Sequence, residues 1–477
     1  MIFIFFQFLK VFGTQVVFIS LKTIFNYKKQ INLHEVVVMK KLLNLMTLAV
    51  ITLLLTAGSL FAQQRDLQYY TAPDQRGLNE FEAPFYTDIE FDGLYVRIGG
   101  ANTLQFQGLS QENDANSVAE LESNFNLATS NLDLDVALAN GVRMHLRTYL
   151  SSQHHPEAWV KGGYLQVDRL DFISEDFAAD LMDNLRFKVG HMEINYGDAH
   201  FRRTDNAQAI YNPFVGNYLM DSFSTEVAGE VYYFNGGFMA MLGLSNGKLN
   251  QSTIDSDPRT SPNFYAKLAY DKQINDNTRF RLSGSFITSG ETAAFYLYSG
   301  DRAGGRYYNV IEGSDFAGRW DPGYTVSRFN PAGPIGADGV TSYMINPFVK
   351  LGGFEFFGVL EGSSGKLIGE NDDRNSTQIG LEALYRFGAS ENFYLGGRYN
   401  TVNSDFLASF TPGTPGLSAD VQEVTIDRIN IGGGWFMTQN ILTKFEYVSQ
   451  SYSDFPTGAL YRGAEFNGFM IEAVISF

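Results

Sequence analysis

Leu132-Asp133-Leu134-Asp135-Val136-Ala137-Leu138 alternates apolar and polar residues, and after Ala139-Asn140-Gly141 the alternation resumes in Val142-Arg143-Met144-His145-Leu146-Arg147-Thr148-Tyr149-Leu150. A period of two is the mark of strands with one apolar and one polar face. A two-residue Asn-Gly turn would set Leu138 opposite Arg143 and mix the faces, because directly paired side chains share a face. A three-residue loop, Ala139 to Gly141 with Gly141 at positive φ, pairs Leu138 with Val142 and Leu134 with Leu146. It also sets Asp135 against His145 and Asp133 against Arg147. One face is then continuous hydrocarbon and the other carries opposed charges.

Runs of the same texture fall near 95–107, 122–138, 142–151, 158–169, 185–195, 225–234, 237–245, 263–271, 278–289, 343–351, 354–362, 377–387, 392–402, 421–437, 440–450 and 465–477. Their joints alternate in length. Tight ones at 139–141, Asn235-Gly236, Gly352-Gly353 and Thr438-Gln439 are separated by long connections such as 196–224, 246–262, 290–342 and 403–420. The joint 170–184 is too long for a turn and predicts a short helix at the rim. Short turns on one side and long loops on the other are the asymmetry of a transmembrane antiparallel β-barrel, with the turns periplasmic and the loops extracellular. A soluble sandwich gives no reason for the rhythm. The pattern predicts an all-β fold of about sixteen strands over 94–477, with fourteen or eighteen admitted by the uncertainty of strand ends.

The 477 residues include no cysteine, 47 glycines, 41 Phe and 26 Tyr. Without cysteine there is no disulfide framework and no thiolate chemistry. The slightly negative mean hydropathy argues against a polytopic helical membrane protein but not against a barrel, whose strands show only every second residue to lipid.

Met39-Lys40-Lys41, an apolar stretch to Phe61 and a small residue at Ala62 describe a secretory signal peptide over 39–62. The other reading of that stretch is a membrane anchor. Residues 1–38 precede a complete signal and read as a spurious N-terminal extension, with translation starting at Met39. Losing residues 1–62 removes six Lys and one Glu, leaving 29 basic and 51 acidic residues of the original 35 and 52. Such acidity disfavours nucleic acid as a partner. It is compatible with an outer leaflet whose lipopolysaccharide holds divalent cations. Residues 63–93 lack periodicity and read as a periplasmic lead-in, too short for a separate plug domain.

Parity places Arg97, Arg143, Arg147, Arg186, Lys188, Lys267, Arg279, Arg281, Lys350, Arg386, Arg398 and Lys444 inward. The inward acids are Asp133, Asp135, Asp168, Glu226, Glu230, Glu355, Glu361, Glu382, Glu446 and Glu472, and His145 falls on the same wall. A wall of nearly balanced charge around water suits hydrated, polar solutes. At the C-terminus Phe469, Ile471, Ala473, Ile475 and Phe477 alternate with Met470, Glu472, Val474 and Ser476. This resembles the terminal signal by which the barrel-assembly machinery recognises its clients.

The connection 196–224, third of the outer loops, contains Tyr196-Gly197-Asp198-Ala199-His200-Phe201-Arg202-Arg203-Thr204-Asp205 and Asn212-Pro213-Phe214-Val215-Gly216-Asn217. With the signal peptide, strand rhythm and last strand, it resembles the general and phosphate-selective outer-membrane porins of Gram-negative bacteria, in which the third loop folds inward. The resemblance is architectural, without a diagnostic motif. It implies Arg202, Arg203 and Asp205 as constriction residues facing wall cations such as Arg143 and Arg147, a basic eyelet favouring anions, and a homotrimer. The alternative for these three is a solvated surface loop.

There is no Gly-x-Ser-x-Gly, phosphate-binding loop or His-Glu-x-x-His. No catalytic residue, metal or cofactor is expected. His154, His155 and Glu157 in an outer loop lack metal-ligand spacing. The expectation is a porin for passive diffusion of small hydrophilic solutes or ions, with anions such as phosphate as the preferred class. Two rivals remain. One is a plugged structural or adhesive barrel binding ligands through its outer loops; the other is a barrel-embedded hydrolase using His154, His155 or His200.

Overall fold

A computed structural model describes residues 64–150, 159–249, 253, 260–292, 295–298, 307–311, 318–324, 336–409 and 420–477. The chain divides between Arg65 and Asp66, and the barrel belongs to the unit Asp66–Phe477. Residues 1–38 and 39–62, read from sequence as an N-terminal extension and a signal peptide, and His154, His155 and Glu157 lie outside the described residues.

Sixteen antiparallel strands form one closed barrel, each paired with its neighbours in sequence and the last with the first. They are β1 (Tyr95–Glu112), β2 (Asn124–Ala139), β3 (Val142–Leu150), β4 (Trp159–Val167), β5 (Leu185–Glu193), β6 (Thr225–Asn235), β7 (Phe238–Ser245) and β8 (Asn263–Asn275). The other half comprises β9 (Thr278–Thr292), β10 (Ala337–Leu351), β11 (Phe354–Leu367), β12 (Arg374–Phe387), β13 (Phe393–Ser409), β14 (Asp420–Thr438), β15 (Ile441–Ser453) and β16 (Glu465–Ser476). Each coincides with a strand read from the alternation. The joint 170–184 holds one helical turn, α1 (Ala179–Met182). Closure runs from Ala101 opposite Ser476 to Glu112 opposite Glu465, leaving no free edge there.

The faces sort as an apolar exterior requires. On β16, Phe469, Ile471, Ile475 and Phe477 point outward and are exposed, while Met470, Glu472, Val474 and Ser476 are buried within. The β2–β3 register pairs Leu134 with Leu146, Asp135 with His145 and Asp133 with Arg147. One detail differs: Val142 faces Ala139, the register shifts between Ala137 and Ala139, and Leu138 is therefore not opposite Val142. The turn has only Asn140 and Gly141, the latter at φ 66°. An extra residue in one strand restores parity as well as an extra residue in the turn would.

The strands differ in length. β14 has 19 residues, whereas β3, β4 and β5 have nine each. β4 and β5 pair only from Gly163–His191 to Val167–Phe187. Above that seam the loop after β5 turns into the barrel.

Candidate functional site: a filled lumen and its cavity

Three segments occupy the lumen. The first is residues 66–85, read from sequence as a periplasmic lead-in. Gln68 bonds the β2–β3 turn at Gly141 N, and Gln75 N donates to Gln439 O in the β14–β15 turn. Asn79 donates to Glu355 of β11 at 2.8 Å, and Phe81 packs edge-on to Phe348 of β10. Glu82 meets Arg281 of β9 at 2.8 Å, and Arg186 of β5 donates to the carbonyls of Ala83 and Pro84 at 2.7 Å. The segment thus crosses the turn-side mouth and enters the barrel. Leu67 and Phe81, both buried, are the apolar residues that hold it there.

The second is the loop 196–224. Its backbone polar groups are met by inward side chains of the wall. The ammonium of Lys444 (β15) donates to the carbonyls of Ala209, Asn212 and Phe214 at 2.9–3.0 Å. Glu446 accepts from Val215 N at 2.8 Å, Asn400 from Leu219 N at 2.6 Å, and Gln378 from Met220 N at 2.8 Å. Arg398 binds Glu382 at 2.6 Å and also donates to Gly216 O at 2.7 Å and Asn212 Oδ1 at 3.0 Å. A methyl group built on Gly380 of β12 would run into the Tyr218 ring. On this side of the barrel the polar face of the wall replaces water around a buried loop, as a desolvated backbone requires.

The third is the described part of 290–342. Tyr298 donates to Ser342 at 2.9 Å, Tyr307 to Glu446 at 2.6 Å, and Trp320 N to Leu219 O at 2.7 Å. Tyr308 N and Ile311 N are taken by Gln107 and Gln111 of β1, so this loop reaches across the mouth to the far wall.

The residues read from sequence as constriction residues lie inside the barrel, all at most 3% exposed. Arg202 and Arg203 pair with carboxylates rather than facing wall cations, whereas Asp205 does meet one. Arg202 binds Glu382 of β12 and Asn79 of the N-terminal segment. Arg203 binds Asp221 at 2.9 Å and lies over the Phe223 ring, 4.1 Å from its centroid. Asp205 sits 3.2 Å from Lys161 of β4. Each guanidinium has a carboxylate, which cancels the net positive eyelet expected from sequence.

The residues read as pore-lining are inward and mostly engaged. Asp133 takes Arg147 by two bonds of 2.7 Å. Asp135 takes His145 at 2.8 Å and Arg143 at 3.2 Å. Arg186 binds Asp168 at 2.6 Å, Arg279 binds Asp271 at 2.7 Å, and Arg386 binds Glu355 at 2.8 Å. Arg281 binds Asp198 through two bonds of 2.8 and 2.9 Å. Lys188 is the least engaged: its carboxylate neighbour, Glu230, is 3.6 Å away.

Between β3–β6, the N-terminal segment and the loop 196–224 remains a cavity of about 190 Å³. Its wall includes Arg143, Arg147, Lys161, Arg186 and Lys188 against Glu80, Glu82 and Glu193, so cations predominate. Outside the strands, burial raises the carboxyl of Glu80. Burial acts likewise on Glu82, but the guanidinium of Arg281 and the ammonium of Lys267 outweigh it and hold that carboxyl down at about 2. Sequence parity found Arg143, His145, Arg147, Arg186 and Lys188 on the wall side of this cavity but not Lys161 of β4. It missed Tyr70, Tyr164 and Phe201, which also line it.

A closed antiparallel barrel with an exposed apolar exterior, tight turns at one end and long loops at the other is an outer-membrane-type β-barrel. Among solved structures it is similar to a loop L8 deletion mutant of OmpT, an outer membrane protein of Vibrio cholerae, with 11% identity, a TM-score of 0.50, and coverage of 81% of this chain and 100% of that one. It is also similar to the anion-selective porin from Comamonas acidovorans (12% identity, TM-score 0.48, 80% and 100% covered). A further similar structure is the outer membrane channel DcaP of Acinetobacter baumannii (12%, 0.47, 81% and 98%). At such identities the likeness is one of fold. No protein-family model and no curated protein matches the chain.

Proposed function

We propose that the chain is a porin of the bacterial outer membrane, exported through the signal peptide 39–62, and that it lets small hydrophilic solutes or ions diffuse passively. The observation that carries this reading is a polar, charge-lined cavity inside a closed sixteen-stranded barrel. Water and ions at that depth need such a lining, since a closed barrel with an apolar lumen would exclude them. The Lys188 ammonium on the cavity wall, whose carboxylate neighbour lies beyond hydrogen-bond reach, supports anion preference. Arg202, Arg203 and Asp205 contribute by fixing the loop 196–224 across the lumen rather than by presenting free charge. By the same resemblance the chain assembles as a homotrimer in lipid and lipopolysaccharide, through the barrel-assembly machinery.

A second reading is a plugged barrel that binds ligands through its outer loops. The burial of the inward charges on β11–β16 and the reach of 290–342 to β1 favour it. Planar-bilayer recordings of the mature protein separate the two. Discrete conductance steps with a reversal potential shifted toward the anion support the porin; a tight bilayer at every voltage supports the plug.

A further inference from the structure

The cavity holds donors that no protein acceptor among the described residues uses. Among the described residues the Lys188 ammonium has Glu230 as its carboxylate neighbour, at 3.6 Å and beyond hydrogen-bond reach, and rests over the Tyr164 ring at 4.6 Å. The Tyr164 hydroxyl has no hydrogen-bond partner there. Around the same ring stand Arg143, 6.0 Å from its centroid, and the His145 imidazole at 5.2 Å. An ammonium and a phenol facing one space among further cations form a receptor for an oxyanion.

The rest of the lining selects among oxyanions. Tyr70 and Phe201 face the same space, and about half the cavity wall is carbon. Inorganic phosphate or chloride would leave that carbon against water. A carboxylate with a compact, flat apolar body would cover it and gain burial free energy. The volume of about 190 Å³ limits that body to a single ring or its equivalent. Of the three carboxylates that line the space, Glu193 is held by His200 and Asn206 and Glu82 by Arg281, while burial raises the carboxyl of Glu80 toward its neutral form.

We infer that this cavity is a binding site for small organic carboxylates with an apolar body, the carboxylate taken by Lys188 and Tyr164. The inference depends on the porin reading only for how the solute arrives and leaves. Binding and conduction therefore need separate measurement.

The test uses the full mature protein in detergent, with radiolabelled benzoate as the probe in equilibrium dialysis. One saturable site is expected. Binding should weaken about tenfold or more in Lys188→Gln, the loss of one hydrogen bond to a charged group, and comparably in Tyr164→Phe, which keeps the ring. Lys272→Gln, on an exposed part of β8, should leave it unchanged. Benzyl alcohol, the neutral analogue, should not compete, and phosphate should compete weakly. Saturable binding unaffected by both Lys188→Gln and Tyr164→Phe would overturn the assignment, as would phosphate competing as well as benzoate. A protein that conducts but shows no saturable benzoate binding would overturn the site and leave the porin standing. One that binds benzoate but never conducts would overturn the porin and leave the site.

Discussion

Lys267 of β8 and Asp198 of the loop after β5 lie 2.6 Å apart, both side chains wholly buried. Arg281 joins the same carboxylate at 2.8 Å, and Glu82 of the N-terminal segment meets both cations, at 3.1 Å from Lys267 and 2.8 Å from Arg281. Two wall cations thus hold two of the inserted segments through one cluster of four charges. Their desolvation is tolerable only because each charge has an opposite partner at contact distance.

Removing one member leaves an excess of buried positive charge. Asp198→Ala should destabilise the folded barrel by about 3–5 kcal/mol, the usual cost of an uncompensated buried charge. Denaturant unfolding in detergent, compared at equal m-value, measures it. An unchanged midpoint would mean the cluster does not anchor the loop.

The same cluster sets an acid limit. Burial raises the carboxyls of Glu82 and Asp198, but Arg281 and Lys267 more than reverse this, so both titrate below the ordinary carboxylate range, Glu82 at about 2. Their folded values are depressed relative to the unfolded chain. The stabilisation is therefore present above roughly pH 4, the unfolded range, and disappears as pH falls through the folded values. Trypsin cleavage after Arg76, in the N-terminal segment, should stay slow in samples pre-incubated down to pH 3 and rise after exposure near pH 2. Release already near pH 4 would show that these ion pairs do not hold the segment.

Much of this architecture was legible because a barrel wall repeats one local rule. Each strand alternates, so Asp133, Asp135, Arg143, His145 and Arg147 could be assigned inward, and to their partners, from parity alone. The Leu138 bulge could not, since a bulge and a longer turn satisfy parity equally. What fills the lumen obeys no period. The inward fold of 196–224 was expected only from the porin resemblance, and the apolar residues Phe214, Val215, Leu219 and Met220, all buried, are the local signal that agrees with it. The path of 66–85 depends on contacts between residues as distant as Gln75 and Gln439, which no local pattern encodes.

The outward face of β16 makes a lipid-side prediction. Ile471 is 44% exposed between Phe445 of β15 and Phe106 of β1, an apolar row on the barrel exterior. Ile471→Arg should cost about 2–4 kcal/mol if the residue sits at the bilayer midplane, less toward either interface. Unfolding from lipid vesicles would report it. A neutral result would contradict a hydrocarbon environment for that face, and with it the membrane-spanning assignment of the strand.

The N-terminal segment supplies the last prediction. Residues 66–84 form part of the cavity wall through Tyr70, Glu80 and Glu82, yet no strand of the barrel includes them. Their loss leaves all sixteen strand pairings intact. It frees Arg186 from the Ala83 and Pro84 carbonyls while the Asp168 pair at 2.6 Å remains. A mature chain lacking 66–84 should therefore still fold to a heat-modifiable barrel and conduct more current per channel than the intact chain, because the turn-side mouth is then open to water. Equal conductance would mean that ions bypass this end of the cavity. Failure to fold would mean the segment is as much part of the barrel's core as the loop 196–224. A partial test avoids that ambiguity. Arg186→Gln removes the clamp on Ala83 and Pro84 while the chain stays whole, and it should raise conductance in the same direction by a smaller amount.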